Sequence, residues 1–294
     1  MSPNVQRSNG AAGTDFKENQ RMTRTIVDKL RMTKRYFNTL SEKDGVRTIK
    51  QTEDLVPVKV LETAHGKLGL YCAGRVCLYR ADTFFTKEPE TLEWIDGFTG
   101  ECVLWDIGAN VGLYSLYAAL RPTVRVLAFE PSAFNYFILM KNIDINGLDQ
   151  KLSGFCLAFN DATELACLTM NYLEVGDSCH GLVNFADRVN AGTTALQQGV
   201  LTYTIDEFVR KFNPPFPTHI KIDVDGVEGG IIKGAKQTLA DKRLASILIE
   251  IDEDNPGDKE IVAELEASGF VTQSRRHAQQ FEGSPYFNYV FTRA

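Results

Sequence analysis

Asp106-Ile107-Gly108-Ala109-Asn110-Val111-Gly112 follows the apolar run Cys102 to Asp106 and opens a helical pattern, Val111 to Leu120, that Pro122 stops. A strand, a tight turn and a helix in that order bring backbone N–H groups at a helix start close to a ligand. Gly108 and Gly112 suit such a turn, because a side chain would obstruct the approach. Their spacing is Gly-x-x-x-Gly, not the G-x-G-x-x-G of a dinucleotide pyrophosphate cradle. The acid just ahead of the turn, Asp106, suits a ligand with an ammonium group, and S-adenosylmethionine is one.

Working outward, strand-like and helix-like segments alternate. Val124 to Phe129 reads as the second strand, Ala133 to Ile145 as a helix closed by Asn146-Gly147, and Phe155 to Phe159 as the third strand. His219 to Asp223 follows as a strand with a helix from Glu228 to Leu239, then Leu244 to Ile251 with a helix from Asp258 to Ser268. Phe270 to Gln273 and Phe287 to Thr292 are two closing strands with no helix between them, hence an antiparallel pair. This predicts a doubly wound α/β fold with a mainly parallel seven-stranded sheet and an antiparallel C-terminal strand pair. That is the Rossmann-like layout of the class I methyltransferases. Upstream, Val58 to Leu61, Gly69 to Cys72 and Val76 to Tyr79 read as strands of an extension, and Glu90 to Ile95 as a helix started by Pro89. Asn160 to Leu201 interrupts the alternation and reads as a lid or substrate loop.

The chain has 294 residues, 44% apolar and 24% charged, with net charge −6, the profile of a globular protein without the broad basic surface of a nucleic-acid binder. No run reaches the ~18–20 apolar residues of a membrane span. The six cysteines form no C-x-x-C pair, so reduced thiols, a cytoplasmic location and no metal site are expected. Cys72 and Cys77 could face each other across a hairpin, which alone does not argue a disulfide. Residues 1–20 read as a disordered tail, 21–65 as a helical and β extension and 66–294 as the catalytic domain, with 162–200 variable. The segment Arg21 to Leu40 reads as a basic helix, solvated or packed on the domain or on a second subunit of a homodimer, the other reading being a helix for an anionic partner or a membrane surface.

Further acids stand at strand ends. Glu130 can accept hydrogen bonds from both hydroxyls of a ribose. Asn160 and Asp161, after the third strand, suit an adenine amino group. Asp223, Asp225 and Glu228 crowd three acids into six residues, which suits a cation or a shared proton. Asp223 is the first candidate for general base or metal ligand, and His180, in the variable loop, the second. Asp225 and Glu228 are candidate substrate contacts, although a helix N-terminus would also account for Glu228. A divalent metal is not indicated.

Taken together, Asp106–Gly112, Phe129-Glu130-Pro131, Lys221–Glu228, Lys233-Gly234-Ala235, Ile249-Glu250-Ile251 and Asn288-Tyr289-Val290-Phe291 resemble the FkbM-type methyltransferases, as does Lys87-Glu88-Pro89-Glu90-Thr91. The resemblance implies adenosylmethionine as methyl donor and O-methylation of a sugar hydroxyl on a glycan or glycolipid, or of a natural product. It implies that Asp106, Gly108, Asn110 and Gly112 hold the methionine part, Glu130 the ribose and Asn160 with Asp161 the adenine. Glu90 would lie near the cofactor amino group or the pocket mouth. One departure is Asp225, where the family usually has Glu. Other readings of the same residues are a non-catalytic cofactor-binding or scaffold module, and a nicotinamide-dependent oxidoreductase.

Overall fold

The structure is a computed structural model that describes residues 23–25, 28, 31, 39–170, 172–178, 180–185, 196–277 and 283–294, without the side chains of Pro256 and Lys259. The expected tail at 1–20, most of the basic helix and Cys179 lie outside the described residues. The chain divides into two compact units, Met1–Val56 and Pro57–Ala294. In the first, helix α1 (Glu42–Glu53) starts at Ser41, whose Oγ accepts from the Asp44 amide at 3.2 Å. No helix among the described residues is long and apolar enough to cross a membrane.

The second unit opens with a hairpin, β1 (Val58–Thr63) against β2 (Gly66–Tyr71), whose pairing crosses the expected boundary at 65/66. Helices α2 (Arg75–Asp82) and α3 (Pro89–Asp96) follow. The expected strand at Val76–Tyr79 is thus helical. Its buried side chains are Cys77 and Ala81, four apart, the spacing of a helix face and not of a pleat. Cys72 and Cys77 therefore do not face each other across a hairpin, and both are free thiols.

The main sheet has strand order β12-β13-β11-β10-β3-β4-β5. Its parallel members are β3 (Cys102–Ile107), β4 (Val124–Phe129), β5 (Leu152–Phe155), β10 (His219–Ile222) and β11 (Ser246–Asp252). β12 (Phe270–Arg276) and β13 (Tyr286–Arg293) close it antiparallel, as the sequence implied. Alternate residues serve opposite faces. Leu104, Val126 and Ala128 pack with α4 (Leu113–Leu120) and α5 (Ala133–Ile145). Trp105, Leu127, Phe129, Ile220 and Ile222 join a second core with Phe208, Ile231 and Ile261. These last three sit on α6 (Ile205–Phe212), α7 (Glu228–Lys233) and α9 (Pro256–Ala267).

Three further expectations change. The third strand is two pieces in different sheets. β5 stays in the main sheet, while β6 (Ala158–Phe159) pairs with β9 (Leu196–Tyr203). The stretch expected as a loop carries β7 (Leu165–Met170), β8 (Gly181–Asn184) and β9, which form a second sheet of order β6-β9-β7-β8. The helix expected from Glu228 to Leu239 breaks into α7 and α8 (Lys236–Ala240). At the break, a Cβ on Gly234 would lie 2.5 Å from the Asn160 carbonyl oxygen, so the chain is pinned there by a distant segment.

Candidate active site

β3 sends the chain to β4 and β5 on one side, whereas its other neighbour is β10, reached much later in sequence. Ligands in open α/β sheets bind outside the carboxyl ends of the strands at such a reversal. Here the two strand ends are locked together. The Asp223 amide donates to the Ile107 carbonyl at 3.1 Å. A Cβ on Gly108 would stand 1.9 Å from the Asp223 carbonyl oxygen, and Gly108 has φ +84°. The glycine is therefore demanded first by the neighbouring strand end. Gly112, at φ +89°, faces Leu139, whose Cδ1 would be 2.4 Å from an added Cβ.

Between them Asn110 adopts φ +52°. Its amide donates to Glu130 Oε2 at 2.7 Å and its Nδ2 to the Asp177 carbonyl at 2.8 Å. Glu130 Oε1 accepts from the Ser132 amide at 2.8 Å. Burial pushes the Glu130 carboxyl up to about 7, against these two amides.

A cavity of about 460 Å³ opens at this point, within the ~300–1,000 Å³ usual for ligand pockets. Of the expected site residues, Gly108, Asn110, Glu130, His180, Asp223, Asp225 and Glu228 line it. Glu90, Asp106, Gly112, Asn160 and Asp161 are not among its lining residues. Glu90 is buried and accepts from Asn288 Nδ2 at 2.7 Å. The Asn160 amide donates to the Tyr203 carbonyl at 3.0 Å, and its Oδ1 would lie 2.1 Å from a Cβ on Gly230. A smaller apolar slot adjoins the cavity, with Ile107, Phe129, Leu157, Phe159, Val224 and Val227 in its walls.

A buried ionic cluster lies behind the cavity. Lys221 faces the same side of the sheet as Asp106, its register partner on β3, and is 2% exposed. Its Nζ donates to Asp223 Oδ2 at 2.6 Å and lies 5.1 Å from the centre of the Tyr114 ring. Burial works to deprotonate Lys221, but the carboxylates of Asp223, Glu88 and Asp106 outweigh it and raise its proton affinity. Lys87 donates to buried Glu88 at 2.7 Å and is raised in the same way, burial being outweighed by Glu88 and Asp223. Asp106 is 1% exposed; Ser115 Oγ donates to its Oδ2 at 2.5 Å, while its Oδ1 has no partner. Burial raises it, against Lys221 and Ser115.

The acids around the cavity are not equivalent. Burial would raise Asp223, but Lys221, Lys87 and Arg80 prevail and hold it well below the usual carboxylate range. Glu228 accepts from the amides of Val224 at 3.2 Å and Gly226 at 2.9 Å, and burial still lifts it to about 7. Glu250 is lifted to about 8 by burial first, then by Asp223 and Glu88. Burial lowers His180, against Asp225 and Asp177, and its Nδ1 has no partner.

The sequence reading did not single out Arg80, Lys87, Lys221 or Glu250 as site residues. A signal was present for two of them. Lys221 in Ile220-Lys221-Ile222 and Glu250 in Ile249-Glu250-Ile251 are lone charges in apolar strand ends. Among the described residues, no group of three or more His, Cys, Asp or Glu is arranged to hold a metal ion.

Methyltransferase sdnD of Sordaria araneosa is 26% identical over an alignment of 196 residues that covers 58% of this chain and 74% of that protein. The hexuronic acid methyltransferase AglP of Haloferax volcanii is 24% identical over 181 residues, 59% of this chain and 66% of that protein, just under two thirds of its length. A precorrin-6y C5,15-methyltransferase structure from Geobacter metallireducens overlaps 70% of this chain and 87% of its own, at 13% identity and TM-score 0.43. Residues 106–272, more than half of the chain, match the methyltransferase FkbM domain, and the protein belongs to that family.

Proposed function

We propose that the protein moves a methyl group from S-adenosylmethionine to a hydroxyl oxygen of a sugar, on a glycan or glycolipid, or of a natural product. The observation that carries this is one cavity lined together by Gly108, Asn110 and Glu130 and by Asp223, Glu228 and Glu250. A sugar acceptor also accords with the hexuronic acid methyltransferase among the relatives.

The residues fit the methyl donor. Carboxylates outnumber Arg80 and Lys87 in the cavity wall, which suits a cationic ligand, and behind that wall the buried Asp106 Oδ1 lacks a partner. Glu130 is held by two amides in a fixed pose, leaving lone pairs for ribose hydroxyls. The apolar side chains beside Pro131 would flank an adenine ring, a contact we assign to them in preference to Asn160 and Asp161. Asn160 instead bonds β9 through its amide and packs its side chain against Gly230 of α7. Asp223, kept ionised by Lys221, is better suited to facing positive charge than to accepting a proton. When bound, adenosylmethionine supplies a methyl group already activated on a positively charged sulfur, so the chain's task is to position it and an acceptor oxygen.

Titration calorimetry with adenosylmethionine, adenosylhomocysteine and NAD tests this first. Binding of the first two and not the third is expected; binding of NAD alone would replace the proposal with an oxidoreductase. Incubation with glycan and metabolite extracts, read by mass spectrometry for a gain of CH₂, then separates an enzyme from a non-catalytic module of the same fold.

A further inference from the structure

We propose that Glu250 is the catalytic residue that takes the proton of the acceptor hydroxyl, an assignment that rests on the methyltransferase reading above. The argument begins with register. β10 and β11 are parallel with Ile222 beside Ile249, so the next residues of the two strands, Asp223 and Glu250, fall side by side at the mouth of the sheet. Both line the cavity. Ile249 and Ile251 belong to the core on one face, which leaves Glu250 on the other, the face of Lys221 and Asp106.

Hydrogen-bond occupancy then separates the acids of that wall. Asp223 accepts from Lys221. Glu228 accepts from two amides. Asp258 accepts from the Asp252 amide at 3.1 Å and from Asn255 Nδ2 at 3.2 Å, and Asp252 from the Asp254 amide at 3.0 Å. Glu250 accepts no side-chain hydrogen bond from any described residue, although it is only partly exposed. Its charged surroundings are Lys221 of β10 and Asp223 just after it, Glu88 and Lys87 before α3, and Asp252 on its own strand. β13 supplies Asn288, its register partner, which donates to Glu90, and Tyr286 at the cavity wall. An acid among more acids than bases binds its proton tightly and so accepts one readily once ionised. Its proton affinity near neutrality is that of an effective general base, which the strongly ionised Asp223 lacks.

The step balances without a further reagent. The acceptor oxygen forms its bond to the methyl carbon while the carbon–sulfur bond breaks and its electron pair remains on sulfur, which loses its positive charge. The hydroxyl proton passes to a carboxylate oxygen of Glu250 and from there to solvent.

The test compares wild type with Glu250→Gln. Adenosylmethionine and adenosylhomocysteine binding are measured by calorimetry from about pH 6 to about pH 9, thermal melts having checked that both proteins are folded. The two ligands differ by one methyl and one positive charge. Wild type should favour the charged ligand increasingly as pH rises, by about tenfold over the range, and Glu250→Gln should lose the part of that gain that falls near pH 8, Glu130 and Glu228 supplying the rest near pH 7. With p-nitrophenyl galactoside as the acceptor probe at saturating adenosylmethionine, Glu250→Gln should lower kcat by about 10²–10⁴-fold, well beyond its change in ligand preference, and Glu250→Asp should recover part of it. Parallel pH slopes in wild type and Glu250→Gln overturn the assignment, whatever the probe reaction shows. A wild type that binds neither ligand overturns the methyltransferase reading itself, and this proposal with it.

Discussion

Gly108 and Gly112 look alike in the sequence and differ in what surrounds them. Both have positive φ, but a Cβ on Gly108 meets backbone, the Asp223 carbonyl, whereas one on Gly112 meets the end of the Leu139 side chain. Backbone at a strand end cannot give way without parting β3 from β10, while a leucine methyl can rotate. Gly108→Ala is expected to cost about 3 kcal/mol or more and Gly112→Ala about 1–2 kcal/mol, as read by denaturant unfolding. Equal costs would show that φ, and not the contact, dominates. Lys221 belongs to the same scale. Replacing it by Met strands Asp106, Asp223 and Glu88 without their shared cation. Lys221→Met should cost about 3–5 kcal/mol near pH 7 and much less in acid, where those carboxyls protonate. A loss independent of pH would mean that its packing against Tyr114 matters more than its charge.

Among the elements, the break between α7 and α8 shows tertiary structure overriding local propensity. Lys233-Gly234-Ala235-Lys236 would continue a helix with a modest glycine penalty. Instead the chain turns, and Asp206, from the start of α6, caps the second helix from outside. Its carboxylate accepts from the amides of Gln237 and Thr238, both at 2.8 Å, and from Thr238 Oγ1. Asp206→Ala should cost about 1–2 kcal/mol and loosen α8 selectively, seen as faster amide exchange at Gln237 and Thr238 than in the β3 strand. Uniform exchange across the unit would argue that the cap is dispensable. The same override explains α2, where Cys77 and Ala81 turn to the core although Val76 to Tyr79 has the composition of a strand.

For the molecule as a whole, buried acids set the pH dependence. Glu130 and Glu228 move from 4.5 to about 7, and Glu250 from 4.5 to about 8, as the chain folds. Between those limits the folded protein holds protons that the unfolded chain has released. The contribution of these acids to stability is therefore complete below 4.5 and is lost as pH rises through 7 and 8. Asp223 acts oppositely, its stabilisation being lost only in strong acid. The melting temperature of the ligand-free protein is expected to fall steadily from about pH 5 to about pH 8.5. Adenosylmethionine should flatten that fall more than adenosylhomocysteine, because a cation offsets the ionised acids. A melting temperature that climbs over this range would contradict the raised proton affinities.

What the sequence determined by itself was the α/β order, the antiparallel closing pair and a set of strand-end residues that share one cavity. These follow from local periodicity, and from glycines and acids where strands meet loops: Gly108, Asn110, Glu130 and Asp223 all proved to line one cavity. Only the tertiary structure decided the helix at Arg75–Asp82, the second sheet through β6 to β9, and the inclusion of Arg80, Lys87, Lys221 and Glu250 in or behind the cavity. It alone set the carboxyls apart as well. A proton's affinity depends on burial and on charges that lie close in space but far along the chain, such as Glu88 to Glu250 and Lys87 to Asp223.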